Sequence, residues 1–568
     1  MNALVKSNSY LFLIIILLLS SKAAAQNLYL EVIGETDSIS SILKNYSNVK
    51  KHTDAIALTQ TLNNLQASLY KDGYINHRIL RKTKTNDSTW TYHFKLNTRF
   101  KHITIHHKSH TLPIKLLQQF TKTIGESNFT IPFQNTETTL EALQLDIANN
   151  GFPFATLNLE NISTKSADTL QADLKISHTD TRRQLDAIVI KGYTNFPKSY
   201  LKRYLKIKPA NHFNIKTIKK KLEGLNTIRF ARQIKDPEVL FSPDSTSLYI
   251  YLEKTPSNSF DGYLGFSTNE TNNKLEFNGY VKLDLHNNFN FGESFNLNYK
   301  STESEQKNFD ITLNLPYLFS TPLGTELQLN ILKQDSTFTT VKQSAKLFYQ
   351  IDTKSRIFLG LENYSSNSLL DTPVFSTTDD YKSNFYTSKY TFENRNPTDK
   401  LFPIQTYASL EGGIGQRTRD NRSENQTKIN LKAFHTIDFN RQNSFYIQAS
   451  GALLNTNKPL ENELYRFGGI QSMRGFAEES LLATAFITVN TEYRYRLSNT
   501  IYAHSIIDYA TLDNTVTNQK NNLYGFGIGF GLLTRAGLLK LNYANGKTES
   551  QKFQFSNSNI HLSLSSYF

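Results

Sequence analysis

Residues 560–568 run Ile560-His561-Leu562-Ser563-Leu564-Ser565-Ser566-Tyr567-Phe568. A period of two puts Ile560, Leu562, Leu564 and Phe568 on one face of a strand, with His561, Ser563 and Ser565 on the other. The run ends on an aromatic with no polar tail. It is therefore expected to be the closing strand of a barrel whose outer face meets lipid.

The same alternation recurs upstream. Phe277, Gly279, Val281, Leu283 and Leu285 alternate with Asn278, Tyr280, Lys282 and Asp284, and Phe309, Ile311, Leu313 and Leu315 alternate with Asp310, Thr312 and Asn314. Sixteen such segments follow one another from Phe260 to Phe568. At about nineteen residues per strand with its connection, that is the size of a membrane barrel. A soluble sandwich turns an apolar face inward, whereas the inward set here is Asn, Lys, Asp and Thr. The expected fold class is a β membrane protein, with a 16-stranded transmembrane β-barrel over residues 258–568. It would close by pairing its first strand (Phe260 to Thr268) with its last (Ile560 to Phe568).

Composition agrees. Only 38% of the 568 residues are apolar, which excludes a helical membrane bundle. A β-barrel stays open, because lipid-facing and lumen-facing residues alternate and average to a polar sequence. With 38 Phe and 30 Tyr against one Trp, the aromatics suit strands and interfacial girdles. There is no cysteine, so disulfides, thiolate metal sites and lipidated cysteines are excluded. Residues 1–25 read as an export signal: Met1 and Lys6 supply charge, Leu11 to Leu19 is apolar, and Ala23-Ala24-Ala25 offers a cleavage site before Gln26. That apolar run is far short of the ~20 residues a spanning helix needs.

Between signal and barrel lies a weak repeat. Leu62-Asn-Asn-Leu65 precedes Gly73-Tyr74, Leu140-Glu-Ala-Leu143 precedes Gly151-Phe152, and Leu222-Glu-Gly-Leu225 repeats the helical part without the glycine. A period near 80 residues implies small tandem domains, here 26–98, 99–180 and 181–257. Each reads β-α-α-β-β, enough for one sheet face covered by two helices. In the first, strands are expected at Leu28–Ile33, Tyr74–Leu80 and Thr91–Leu96, with a helix bearing Leu58, Leu62, Leu65 and Leu69. The second has strands at Ile103–Ile105, Phe154–Leu159 and Leu170–Ile176, with helices near Pro113–Thr123 and through Leu140, Leu143 and Ile147. The third has a strand at Leu185–Ile190, helices at Pro197–Leu205 and through Ile215, Ile218, Leu222 and Leu225, then strands near Phe230–Lys235 and Ser247–Glu253. Ten basic residues and no acidic one lie between Lys191 and Lys221. They read as a solvated face, or as a surface near anionic lipid headgroups; nucleic acid is not an expected partner of an exported chain.

One barrel connection is long. About thirty residues separate the eleventh strand (Phe445 to Leu453) from the twelfth (Ala485 to Leu497), and loops of that length are uncommon unless functional. They include Arg466-Phe-Gly-Gly469 and Met473-Arg-Gly-Phe476. Alternation turns Glu492 on the twelfth strand and Asp508 on the thirteenth into the lumen. If the loop enters the barrel, the Arg474 fork suits bidentate binding to those carboxylates, and Gly475 allows close backbone approach. A solvated arginine on a surface loop fits the same residues.

Repeated β-α-α-β-β units, a sixteen-stranded barrel and Arg474-Gly475-Phe476 in the long loop together resemble the outer-membrane assembly superfamily that includes BamA and TamA. Its periplasmic units are called POTRA domains, and three of them resemble the layout of TamA more than that of BamA, which typically carries five. The resemblance implies that Arg474 pins the loop inside the barrel against Asp508 and Glu492. Asp508-Tyr-Ala510 matches the family's Asp-x-Gly with Ala for Gly, and Met473 stands where an aliphatic residue is usual. Phe392-Glu-Asn-Arg395, followed by Pro403, resembles the family's Asp-x-Arg element with Glu393 for Asp.

Other signals fade. Gly525, Gly527, Gly529 and Gly531 alternate with Tyr524, Phe526, Ile528 and Phe530, which is a strand with a bare lumen face and not a phosphate loop. His102 and His106 lie ~13 Å apart on a strand, and with His107 and His110 they are poorly placed for one metal ion. No catalytic motif is present, so neither enzymatic activity nor a cofactor is expected. The expected function is assembly: receiving unfolded outer-membrane protein clients through POTRA domains in the periplasm and inserting them through a lateral seam. Outer-membrane lipid, and an inner-membrane or periplasmic partner of the POTRA domains, are the other expected contacts. The alternative is a two-partner-secretion transporter that exports a dedicated protein through the lumen.

Overall fold

The computed structural model describes residues 27–46, 51–108, 112, 114–179, 181–268, 275–301, 306–369, 377–396, 398–534, 537–549 and 558–567. The expected export signal, His110 and Phe568 lie outside them. The chain forms two compact units, one reaching Arg183 and including His212–Asn214, the other made of Gln184–Asn211 and everything from Ile215 onward.

The first unit holds two α/β sheets. In the amino-terminal one, Leu28–Gly34 pairs in parallel with Thr89–Lys95, which pairs antiparallel with Arg78–Lys84. Helix Ala55–Lys71 starts where the Asp54 carboxylate accepts the Ala57 N–H at 2.7 Å. Leu58, Leu62, Leu65 and Leu69, spaced for one helical face, are all buried with Tyr92 and Phe94. Each such leucine contributes roughly 1.5–3 kcal/mol of burial. The helix stops at Gly73, whose φ of +96° is the left-handed cap glycine favours. Gly151, φ +101°, ends helix Thr136–Asn149 in the second sheet the same way. The repeated glycine of the sequence is thus a helix terminator.

Several expected elements move. A short strand, Lys51–His52, lies between the two helices of the first domain, and Asn128–Pro132 pairs with His102–His106 in the second, so the order is not β-α-α-β-β in either. Of the helix expected near Pro113–Thr123, Ile114–Leu117 forms among the described residues, and an unexpected strand follows in which Phe129 and Ile131 alternate into the core. The strand expected from Tyr74 begins at Arg78, since Gly73-Tyr74 completes the helix cap, and that expected from Phe154 begins at Thr156.

The third α/β sheet, ordered Ala231–Phe241, Thr246–Lys254, Ala187–Gly192, shares its compact unit with the barrel. Its first helix is a π turn, Tyr200–Tyr204, packed on barrel turns. Tyr200 donates to the Gly292 carbonyl at 3.0 Å and Tyr204 to that of Thr353 at 2.7 Å. Arg203 donates to Ser320 O at 2.9 and 2.6 Å, and Lys206 to Ile351 O at 2.9 Å. The basic stretch is therefore not simply a solvated face: two of its cations close turn carbonyls, while Lys198, Lys202 and Lys208 stay exposed. Away from the barrel strands, burial pushes the Tyr200 hydroxyl's pKa well above its usual value.

Sixteen antiparallel strands follow, from Ser259–Thr268 to Ser558–Tyr567, each paired with the next in sequence. Outward positions carry exposed apolar side chains such as Leu359, Leu361, Ile414, Ile487, Ile507, Ile528 and Ile560, while inward neighbours are buried Lys, Glu, Gln and Arg. That is the reverse of a water-soluble protein, and it is the arrangement lipid imposes. The strand order returns on itself, but the first and last strands share two paired positions among the described residues, Ser259↔Tyr567 and Phe260↔Ser566.

Candidate functional site

The long connection between the eleventh strand (Asn443–Asn455) and the twelfth (Ala485–Arg496) has structure of its own. A turn at Glu461–Glu463 leads into a hairpin of Tyr465–Phe467 against Leu481–Ala483. Between the hairpin arms, Gly468, Gly469 and Gly475 all have left-handed φ, and the tip folds into the lumen.

Arg474 sits at that tip with 4% of its surface exposed. Its Nε donates to Asp508 Oδ2 at 2.8 Å and its Nη2 to Asp508 Oδ1 at 2.6 Å. Its backbone N–H donates to the same carboxylate at 3.1 Å, and Nη1 donates to Glu492. Glu492 also accepts from Arg494 Nε at 2.7 Å, and Arg494 stacks 3.9 Å over the Tyr446 ring. Two cations and two anions close a neutral buried quartet. Burying charge costs several kcal/mol per ion, and this is offset only when each charge is paired and hydrogen-bonded, as here.

Neighbouring residues shape the socket. Met473 and Ala510 belong to one buried apolar cluster with Phe467, Ala483, Leu512 and Leu523, and Phe476 packs on its edge. The two departures from the family pattern thus fall in one apolar cluster, where the flexible Met473 side chain can fill irregular space. Gly475 lies directly on the Asn545–Gly546 backbone of the fifteenth strand (Leu538–Thr548), where no Cβ fits, and accepts from Asn559 Nδ2 of the sixteenth at 2.8 Å. The glycine stripe is not bare. Its lumen face is filled by Tyr502 at Gly531, His504 at Gly529 and the Arg474 carbonyl at Gly525.

The structure therefore brings Arg474, Gly475, Phe476, Glu492 and Asp508 together. Ile560 is exposed on the last strand; Leu562 and Leu564 belong to that strand, but their side chains, like all of Phe568, lie outside what is described. Glu393 pairs with Arg395 at 3.0 Å, and Asn396 N–H donates to Pro403 O at 2.8 Å.

Two further charge clusters carry no motif that sequence reading detects. Arg417, buried on the ninth strand (Ile404–Arg419), holds the loop's other foot through Glu463 at 2.5 Å and the Lys458 carbonyl at 2.9 Å, and pairs with Glu424 at 2.6 Å. Glu362 on the seventh strand (Ser355–Ser368) takes Lys346 at 2.8 Å, Lys342 at 3.4 Å and Lys428 from the tenth strand (Arg422–Asp438), and Lys346 also meets Glu411 at 2.9 Å. Among the described residues no group of His, Asp and Glu side chains is placed to hold a metal.

The Omp85 superfamily domain model matches residues 287–561. Among solved structures, BamA from Haemophilus ducreyi lacking POTRA domains 1–3 aligns at 16% identity with a TM-score of 0.50, covering 82% of this chain and 99% of that one. CdiB from Escherichia coli aligns at 12% identity with a TM-score of 0.53, covering 90% and 98%. CdiB from Acinetobacter baumannii aligns at 15% with a TM-score of 0.50, covering 90% and 98%. At these identities the likeness is one of fold. No curated protein sequence matches the chain.

Proposed function

We propose that this chain, whose barrel is an Omp85 superfamily domain preceded by POTRA-like α/β domains, is a non-enzymatic outer-membrane assembly factor. Its α/β domains receive unfolded clients in the periplasm, and its barrel passes them into the membrane sideways.

One observation carries this reading. Among the described residues the first and last strands share two paired positions, whereas every other neighbouring pair in the barrel shares eight or more. Unpaired backbone groups cost several kcal/mol each in lipid. A client strand that pairs with them removes that cost, so folding of the client itself drives insertion without nucleotide. The loop tip, bound through Gly475 to the fifteenth and sixteenth strands, holds the last strands from inside while the first remains free to part.

Export of a dedicated protein through the lumen is less well supported. The loop is tied in at Arg474 and Arg417, and the Glu362 cluster joins strands that are not neighbours. A third α/β domain also exceeds the two usual for two-partner-secretion transporters.

The chain has no cysteine, so a seam disulfide is easily placed. Phe260→Cys with Ser566→Cys, oxidised in the folded protein, is expected to abolish insertion of client barrels, and reduction to restore it. Full activity with the disulfide formed overturns lateral passage.

A further inference from the structure

Where the third α/β domain meets the barrel, the two enclose a cavity of about 390 Å³. Tyr200, Tyr204 and residues 227–230 of that domain form one side. The fifth (Leu323–Gln334), seventh and eighth (Tyr381–Arg395) strands contribute to the other. Four cations line the cavity, Arg229, Lys354, Arg356 and Lys389, against two carboxylates, Glu326 and Glu393. Both carboxylates are already taken, Glu326 by Lys389 at 2.7 Å and Glu393 by Arg395 at 3.0 Å. Asp352 nearby accepts the backbone N–H groups of Lys354 and Ser355 at 2.7 and 2.8 Å. The charge left over is positive.

Arg356 is the centre of that charge. It is half-buried at the start of the seventh strand, its Nε donates to Gln350 Oε1 at 2.7 Å, and its guanidinium lies 5.6 Å from the centre of the Phe348 ring. These contacts fix the guanidinium plane. Among the described residues its two Nη groups have no acceptor, and no carboxylate pairs with it or with the exposed Lys354. We propose that the cavity binds a phosphate monoester, with the Arg356 fork on two phosphate oxygens and Lys354 adding charge from the rim. Arg229, 3.4 Å from His286 Nε2, brings a further cation from the α/β domain. Three features select this ligand. The two positive charges in excess match the ≈ −1.5 to −2 of a phosphate ester, and the fork geometry suits its paired oxygens. The volume lies in the range of small-molecule sites, with Ser294, Asn296 and Thr391 left to meet a polar organic group such as glycerol or a sugar. Because Arg229 belongs to the α/β domain and Arg356 to the barrel, the ligand ties one to the other.

Calorimetric titration of the full chain in detergent with glycerol 3-phosphate tests it. Saturable binding is expected, and none with glycerol. Arg356→Gln should weaken binding roughly tenfold or more, as loss of a charge-assisted contact does. Lys354→Gln, at an exposed position, should weaken it several-fold and decides the matter if Arg356→Gln fails to fold. Lys198→Gln with Lys202→Gln, exposed outside the cavity, should change nothing. Two sources could supply the ester, a soluble metabolite or a lipid headgroup. In nanodiscs, replacing part of the phosphatidylcholine by phosphatidic acid should block glycerol 3-phosphate if the headgroup enters the cavity, and leave its binding unchanged if the occupant is soluble. No binding of glycerol 3-phosphate overturns the site. So does binding that survives Arg356→Gln and Lys354→Gln, or that falls equally in the Lys198 and Lys202 variant.

Discussion

Arg417 and Glu463 meet at 2.5 Å in the lumen wall, so the loop that Arg474 ties down at its tip is tied down again at its foot. Arg417 is 2% exposed and Glu463 is buried beside it. The two anchors are carried by different strands and share no residue.

Removing the tip anchor leaves Asp508 and Glu492 as buried carboxylates with one remaining arginine. Arg474→Ala is expected to destabilise the folded barrel by about 3–5 kcal/mol, read from urea unfolding in lipid. Exchanging the charges of Arg474 and Asp508 should recover part of that loss. A double-mutant cycle without coupling would show that the pair does not hold the loop.

With two anchors, loss of either alone should leave the loop inside. Arg474→Ala and Arg417→Ala separately are expected to keep the loop protected from protease added outside cells. Combining them should expose it, with a non-additive rise in cleavage. Cleavage in either single variant equal to that in the double would mean the anchors are one unit.

Gly525→Ala inserts a methyl group where the Arg474 carbonyl now lies. Without touching any charge, it should push the tip off its seat and cost about 1–3 kcal/mol. Gly412→Ala, whose Cβ meets open space, is the matched control and should be near neutral.

Glu362 gathers three lysines, so Glu362→Gln leaves like charges facing one another in a buried site. The expected loss is again about 3–5 kcal/mol, and Lys346→Met in the same background should return some of it by removing one repelling charge.

The barrel was legible because lipid imposes a period of two on every strand, and sixteen repeats of one pattern outweigh any local ambiguity. Glu492 and Asp508 were legible for the same reason: alternation alone turned them inward toward a loop long enough to reach them. The α/β domains were read less well. Asn128–Pro132 is short and was left unassigned between two expected helices, and Lys51–His52 is too brief to show a period. Arg417 with Glu463, and the Glu362 cluster, were invisible because each needs a partner far off in the chain (Glu463 for Arg417, Lys428 for Glu362), and no spacing along the chain encodes which inward charges meet across a lumen. The short seam was equally unreadable, since an unpaired strand carries the same alternation as a paired one.

The most direct test of the account is sedimentation of residues 26–568 refolded from urea without detergent or lipid. A chain whose carboxyl-terminal half wraps a polar interior in an apolar exterior should aggregate there, and should fold only when micelles or vesicles are supplied. A folded, monodisperse monomer in plain buffer would contradict the barrel and everything built on it.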